Sequence, residues 1–267
     1  MSRMPSLFVS HGAPTFAIDP GVAGPRLTAL GRSLPRPQAV LVISPHWMTP
    51  TVRVGVAAEP TTIHDFGGFD PALYQLSYPA PGHSAMAQRA VELLTKAGWP
   101  ALADERRGLD HGAWVPLLHM FPDADVPVFQ VSLPSLLDAQ RAWAFGQALS
   151  PLAEQGVLIV GSGSLTHNLY EFRLRHGADE SYVSAFAGWV REAVEQGDNA
   201  RLRRTLHDAP DAQRAHPTAE HFWPLLVAAA AADTGTGTPP GTVIEGGIAH
   251  GVLAMDSYVF GLPDAFH

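Results

Sequence analysis

Short apolar runs that alternate with stretches of helical periodicity are the feature that most restricts this chain. Residues 7–10, 39–43, 126–133 and 156–160 are rich in β-branched and apolar side chains, as strands buried on both faces require. Between them, residues 83–97 place Ala87, Ala90, Val91 and Leu94 at helical spacing and stop before Gly98, a residue suited to a C-terminal cap. Residues 138–154 and 181–196 repeat the pattern and close at Gly156 and Gly197. The longest apolar run, 222–232, falls short of the roughly 20 residues that cross a bilayer, so it reads as a buried helix. The segment 233–241 (DTGTGTPPG) joins that helix to a last strand at 242–244 and does not divide two domains. No internal repeat interrupts this order. The expectation is an α/β fold, one domain over residues 1–267, with a mixed or mostly parallel central sheet flanked by helices and an active site at the carboxyl ends of the strands.

Composition removes several classes of function. A net charge of −8 with no basic stripe offers nothing to a nucleic-acid backbone, and a small neutral or cationic partner fits better. Absence of cysteine excludes disulfides, thiolate nucleophiles, iron–sulfur clusters and cysteine-bearing zinc fingers, so any metal is bound through N and O. It also suits a reducing compartment. The apolar piece at 7–9 is too short for a signal peptide, and the chain is expected in the cytoplasm with no membrane partner. Lys96 is the only lysine and lies on an amphipathic helix, which leaves Schiff-base and Walker-type chemistry without a carrier. Gly161, Ser162 and Gly163 imitate a dinucleotide fingerprint, but Thr166 stands where the third glycine belongs. H-E-x-x-H, G-x-S-x-G and G-x-x-x-x-G-K are all missing.

The thirteen histidines are more informative. His11 (VSHGAP), His46 (ISPHW) and His167 (GSGSLTHN) each follow a predicted strand, where side chains from several strands can meet in one crevice. His221 opens the alanine-rich helix, with Thr218 as the expected cap. The positive end of the helix dipole would keep its imidazole neutral and its lone pair free for a metal. His111 (LDHGAW) can enter the same crevice from the side. A single histidine near a strand end is more often a hydrogen-bonded loop residue, so it is the set that points to a metal. His64 is read as a pocket-lining residue ahead of a ligand; beside it, Gly67 and Gly68 permit close backbone approach and Phe66 and Phe69 supply apolar walls. His83, His119, His176, His207, His216, His250 and His267 are taken as surface or satisfied core residues, with His119 packed on an apolar helix face.

These segments carry a resemblance over nearly the full length. SHGAP (10–14), ISPHW (43–47), TIHDFGGF (62–69), YPAPG (78–82), LDHGAW (109–114), PDADVPVFQVSL (122–133), THNL (166–169) and EHFWPLL (220–226) resemble the class III extradiol ring-cleavage dioxygenases, LigB-like, in their DOPA 4,5-dioxygenase-like branch. The resemblance implies a single α/β domain, His11, His46 and His221 as metal ligands, and His111 and His167 as histidines near the metal, with His167 a candidate fourth ligand. It implies Fe(II) for activity, a catechol such as L-DOPA, and O2 as partners; three protein ligands on an octahedral ion leave room for both catechol oxygens and O2. On this reading His167 is the acid–base group and His111 hydrogen-bonds oxygen or substrate, while His64, Phe66 and Gly67 line the substrate pocket. Many relatives use two histidines and a glutamate. Here the third position is His221, and neither Glu220 nor Glu245 aligns as the ligand, so an all-imidazole site also accommodates Zn(II). Two other readings stand beside this one: a zinc hydrolase of a small ester or amide using the same histidines, with Glu220 as base, and a binding protein with a structural metal.

Overall fold

The computed structural model describes residues 3–174, 180–235 and 237–262. Its strands are β1 (Ser6–Ser10), β2 (Ala39–Thr49), β3 (Val52–Gly55), β4 (Ala101–Asp104), β5 (Val128–Pro134), β6 (Val157–Gly163), β7 (Gly241–Ile244), β8 (Ile248–Ala249), β9 (Leu253–Ala254) and β10 (Ser257–Phe260). Eight form one sheet in the order β4-β3-β5-β2-β6-β1-β10-β7, and β8 pairs with β9 apart from it. The central strands β5, β2, β6 and β1 are mutually parallel. β3 and β10 join this block antiparallel. The apolar runs are explained by this centre: parallel strands are covered on both faces, and every residue of β1, β5 and β6 is buried.

Alternation along β6 shows how the two faces are covered. Gly161 faces the helix Trp223–Ala231, where a Cβ would stand 2.1 Å from the Pro224 carbonyl oxygen. Ser162 faces the opposite way and donates to the Gly112 carbonyl in the helix His111–Met120. Alanines make the first of these helices thin enough to lie between the sheet and the helix Ala139–Leu149, whose Gly146 has no room for a side chain against Val227.

Helices stand where periodicity placed them, at Ser84–Lys96, Ala139–Leu149 and Glu180–Glu195. Gly98, Gly156 and Gly197 all take positive φ just beyond, the conformation their cap role demands. Three expectations need correction. The helix expected over 138–154 ends at Leu149 and continues as the 3-10 turn Ser150–Gln155, because Pro151 lacks an N–H and crowds the preceding turn. β2 does not stop at residue 43; it runs to Thr49 with a register shift between Ser44 and Met48, where Pro45 cannot donate to the ladder. Strand β7 is not the last, since β10 follows it in sequence and lies between β7 and β1 in the sheet. Among the described residues no helix is long and apolar enough to cross a membrane.

Candidate metal centre

β1, β6 and β2 are parallel neighbours, so their carboxyl ends open on one side of the sheet. With adjacent strands about 4.8 Å apart, side chains leaving β1 and β2 can meet over the end of β6. His11 follows β1 directly, His46 sits on the irregular stretch of β2, and His167 lies in the loop after β6. His221 comes from the turn before the helix Trp223–Ala231. That turn is bound to β6 by the Ser164 amide, 3.0 Å from the His221 carbonyl oxygen, and by Gly163, whose missing side chain leaves that oxygen its place. His111 is the first residue of its helix, capped by Asp110, whose carboxylate accepts from the Ala113 amide at 3.2 Å.

All five histidines converge. His11 Nε2 and His46 Nε2 are 3.2 Å apart, and one ring nitrogen from each of His11, His46 and His221 lies within 4.8 Å of the others. The His111 ring centroid is 3.9 Å from that of His46 and 5.5 Å from that of His11. His167 stacks on His221 and joins the cluster through a second donor set with Glu220 and His221.

Burial, reinforced by the neighbouring imidazoles, pushes His11 and His221 well below the ordinary histidine value. Burial likewise brings His46 down to about 4, and His167 to about 4 against the opposing pull of Glu220. Neutral rings at pH 7 present lone pairs. In His221 the geometry says which nitrogen carries it: Nδ1 lies 3.0 Å from Glu220 Oε1, and a carboxylate only accepts, so Nδ1 holds the proton. Nε2 is then a buried acceptor with no partner among the described residues. Such an orphan is costly, and a divalent cation bound by the converging imidazoles would satisfy it. The residues present therefore fit a metal.

Around this cluster, His111 is held by Asp65, whose Oδ1 lies 2.9 Å from both its amide nitrogen and its Nδ1. Burial opposes ionisation of Asp65, but the hydrogen bonds and charge of His111 outweigh it and keep the carboxyl at about 2. His64 stands apart from the donors. Its Nε2 donates to the Leu76 carbonyl at 3.0 Å and its ring meets Phe66 and Trp114 edge-on. Phe66 approaches His111 edge-on at 5.7 Å, while Gly67 is exposed with open space where a side chain would stand.

The expected cap by Thr218 is not made: its hydroxyl donates to Glu220 Oε1 at 3.0 Å, and the helix begins at Trp223 with no side-chain cap. Pro224 in the first turn removes one N–H that a cap would otherwise serve. Glu220, weighed from sequence as ligand or base, is a hydrogen-bond partner of His221, and Glu245 is engaged by Arg26 and Arg191. Asp65 and Ser162 were missed by sequence reasoning. The only local signals are an acid directly after His64 and the opposite parity of Ser162 to its flanking glycines on β6. His119 is satisfied as expected, donating a ring N–H to the Phe16 carbonyl; His216 donates through Nε2 to the Leu165 carbonyl, but its buried Nδ1 has no hydrogen-bond partner among the described residues, so it is satisfied only in part. His176 and His267 lie outside the described residues.

Residues 24–253 match the family model of the catalytic LigB subunit of aromatic ring-opening dioxygenase. The chain is 39% identical over 259 residues to a 4,5-DOPA dioxygenase extradiol of Beta vulgaris, covering 96% of each. It is 38% identical over 265 residues to the protein of the same name from Escherichia coli (strain K12), covering 97% of this chain and 96% of that one. The crystal structure of an uncharacterized protein from Escherichia coli K12 superposes with a TM-score of 0.76 at 32% identity, covering 97% of this chain and 100% of the other. With sheet, histidine cluster and near full-length similarity in agreement, the chain belongs to the LigB family of aromatic ring-opening dioxygenases and is an extradiol dioxygenase.

Proposed function

We propose that this enzyme opens the ring of a catechol, L-DOPA or one similarly substituted, with O2 as co-substrate and with His11, His46 and His221 holding a mononuclear Fe(II). The observation that carries the ligand set is the approach of one ring nitrogen from each of the neutral His11, His46 and His221 to within 4.8 Å of the others, together with a buried His221 Nε2 that has no partner among the described residues. Bound Fe(II) supplies Lewis acidity together with the electron exchange that O2 requires, whereas Zn(II) on the same imidazoles supplies Lewis acidity alone.

His167 is suited to take the proton of a catechol hydroxyl. It is neutral at pH 7, and its stack on His221 keeps it beside the ligand. His111 has its Nδ1–H committed to Asp65, so its Nε2 is the nitrogen available to a hydroxyl of substrate. Phe66 offers an apolar edge to the aromatic ring, and the bare backbone at Gly67 leaves room for a ring substituent; His64 braces this wall through Leu76. A hydrolytic reading needs a carboxylate free to activate water, and Glu220 is engaged by both Thr218 and His221. We assign the enzyme to the cytoplasm, where a cysteine-free chain is at ease.

The test is O2 uptake with absorbance in parallel, after anaerobic reconstitution of the metal-free protein with Fe(II) or Zn(II) and addition of a catechol panel that includes L-DOPA. Iron, and not zinc, should give catechol-dependent uptake with a yellow ring-opened product. Absence of uptake with either metal on every catechol would sink the proposal.

A further inference from the structure

His11 differs from His221 in having no carboxylate hydrogen-bonded to it among the described residues. Its Nδ1 lies 2.9 Å from Ser162 Oγ, and the same hydroxyl is hydrogen-bonded to the Gly112 carbonyl. Both side chains are sealed from solvent, so water does not compete for these bonds.

A serine hydroxyl owns one proton, and its destination decides the state of His11. The Gly112 oxygen can only accept. Within the helix His111–Met120 its usual donor would be the amide of residue 116, but that residue is Pro116 and has no N–H. The carbonyl is thereby left open for Ser162, the hydroxyl proton goes to it, and His11 Nδ1 must in turn be the donor to Ser162 Oγ. His11 Nε2 is then unprotonated, and it is this nitrogen that faces His46 Nε2 at 3.2 Å.

We propose that Ser162 is a positioning residue: with the carbonyl freed by Pro116, it holds His11 as the Nδ1–H tautomer and so commits the Nε2 lone pair to the metal. The proposal rests on the ligand assignment made above. One hydroxyl also ties the first turn of the His111 helix to β6, which spaces His111 from His11. Position 112 must be glycine for this approach, since a Cβ there would lie 2.3 Å from Ser44 Oγ and 3.1 Å from His46 Cδ2.

The tautomer can be read directly. In metal-free protein labelled with 15N-histidine, long-range 1H–15N correlations should show His11 protonated at Nδ1, and Ser162→Ala should shift it toward the Nε2–H form. Zn(II) affinity, measured by competition with a chromophoric chelator, should fall by about 10- to 100-fold in Ser162→Ala, the range expected when a ligand's hydrogen-bond partner is removed. Ser6→Ala is the control for loss of a buried hydroxyl, because the Ser6 hydroxyl donates to the Ala228 carbonyl and is hydrogen-bonded to no histidine among the described residues; its Zn(II) affinity should match wild type. An Nε2–H ring at His11 in wild type, a measurement that needs no variant, would overturn the proposal. So would unchanged Zn(II) affinity in Ser162→Ala. Failure of the wild type to bind either Zn(II) or Fe(II) would instead overturn the ligand assignment itself.

Discussion

The rings of His167 and His221 lie face to face, their centroids 3.5 Å apart and their planes 11° from parallel. This places His167 beside a proposed ligand and outside the set that His221 forms with His11 and His46. Replacing His167 with Ala should lower turnover by about 100- to 10,000-fold, the usual span for a lost acid–base group, while metal content stays near stoichiometric. Metal analysis alongside steady-state kinetics decides the matter; loss of metal in the variant would make His167 a fourth ligand.

Glu220 accepts from His221 Nδ1 and from Thr218 Oγ1. In a site of neutral imidazoles, this carboxylate supplies negative charge one hydrogen bond beyond the proposed ligand His221. Glu220→Gln keeps the length of the side chain and removes the charge, and should weaken metal binding by about 10- to 100-fold in a chelator titration. Equal affinity would mean that the carboxylate merely holds the turn.

Asp65 reaches the cluster at two points, with Oδ1 2.9 Å from His111 Nδ1 and Oδ2 3.8 Å from His46 Nδ1. Asp65→Ala strips the Nδ1–H of His111 of its acceptor and should reduce kcat by about 10-fold or more with stoichiometric metal retained, because His111 is outside the three-histidine set and the 3.8 Å contact with His46 is too long for a hydrogen bond. The comparison to make is kcat at saturating catechol against metal content; a variant that keeps full kcat would remove His111 from the reaction.

Acid should unfold the metal-free protein by a definite route. Burial holds His46, His167 and His216 at about 4, and His11 and His221 also well below their ordinary value, whereas in the unfolded chain all titrate near 6.5. Between about pH 6.5 and about 4 the unfolded state therefore binds more protons, so stability is full above this window and is lost as pH falls through it. Each such ring contributes up to about 1.4 kcal/mol per pH unit inside the window. Urea midpoints measured from pH 7.5 to 4.5 should fall steadily without metal, and the fall should begin at lower pH with metal bound, since protons must then displace it. A flat profile would show that these rings gain charge at no cost to the fold.

Much of the sheet was legible because its cause is local. Strands buried on both faces must be apolar throughout, and helices must repeat their apolar positions every third or fourth residue, so β1, β2, β5 and β6 and the helices Ser84–Lys96, Ala139–Leu149 and Glu180–Glu195 declare themselves, whereas the helix Ala23–Ser33 and the outer strands β3, β4 and β10 did not. Histidines just beyond those strands could be grouped for the same reason: parallel strands deliver their carboxyl ends to one edge. Where the chain's course depended on a single backbone group, local pattern was less reliable. Pro151 ended one helix early, Pro45 accompanied an irregularity that carried His46 within a longer β2, and Thr218 turned to Glu220 in place of capping a helix.

By itself, then, the sequence determined the α/β class, the strand-end location of the site and the five histidines brought to it, because apolar periodicity and parallel topology are written in neighbouring residues. Only the tertiary structure decided which nitrogen carries the proton in His111 and His221 and, on the proposal above, in His11. That depends on which acceptor lies within about 3 Å; Glu220 adjoins His221, but the other acceptors come from far along the chain: Ser162 is 151 residues from His11, and Asp65 is 46 from His111. Hydrogen bonding acts over a single contact distance, and no spacing in the sequence reveals which distant groups will share one.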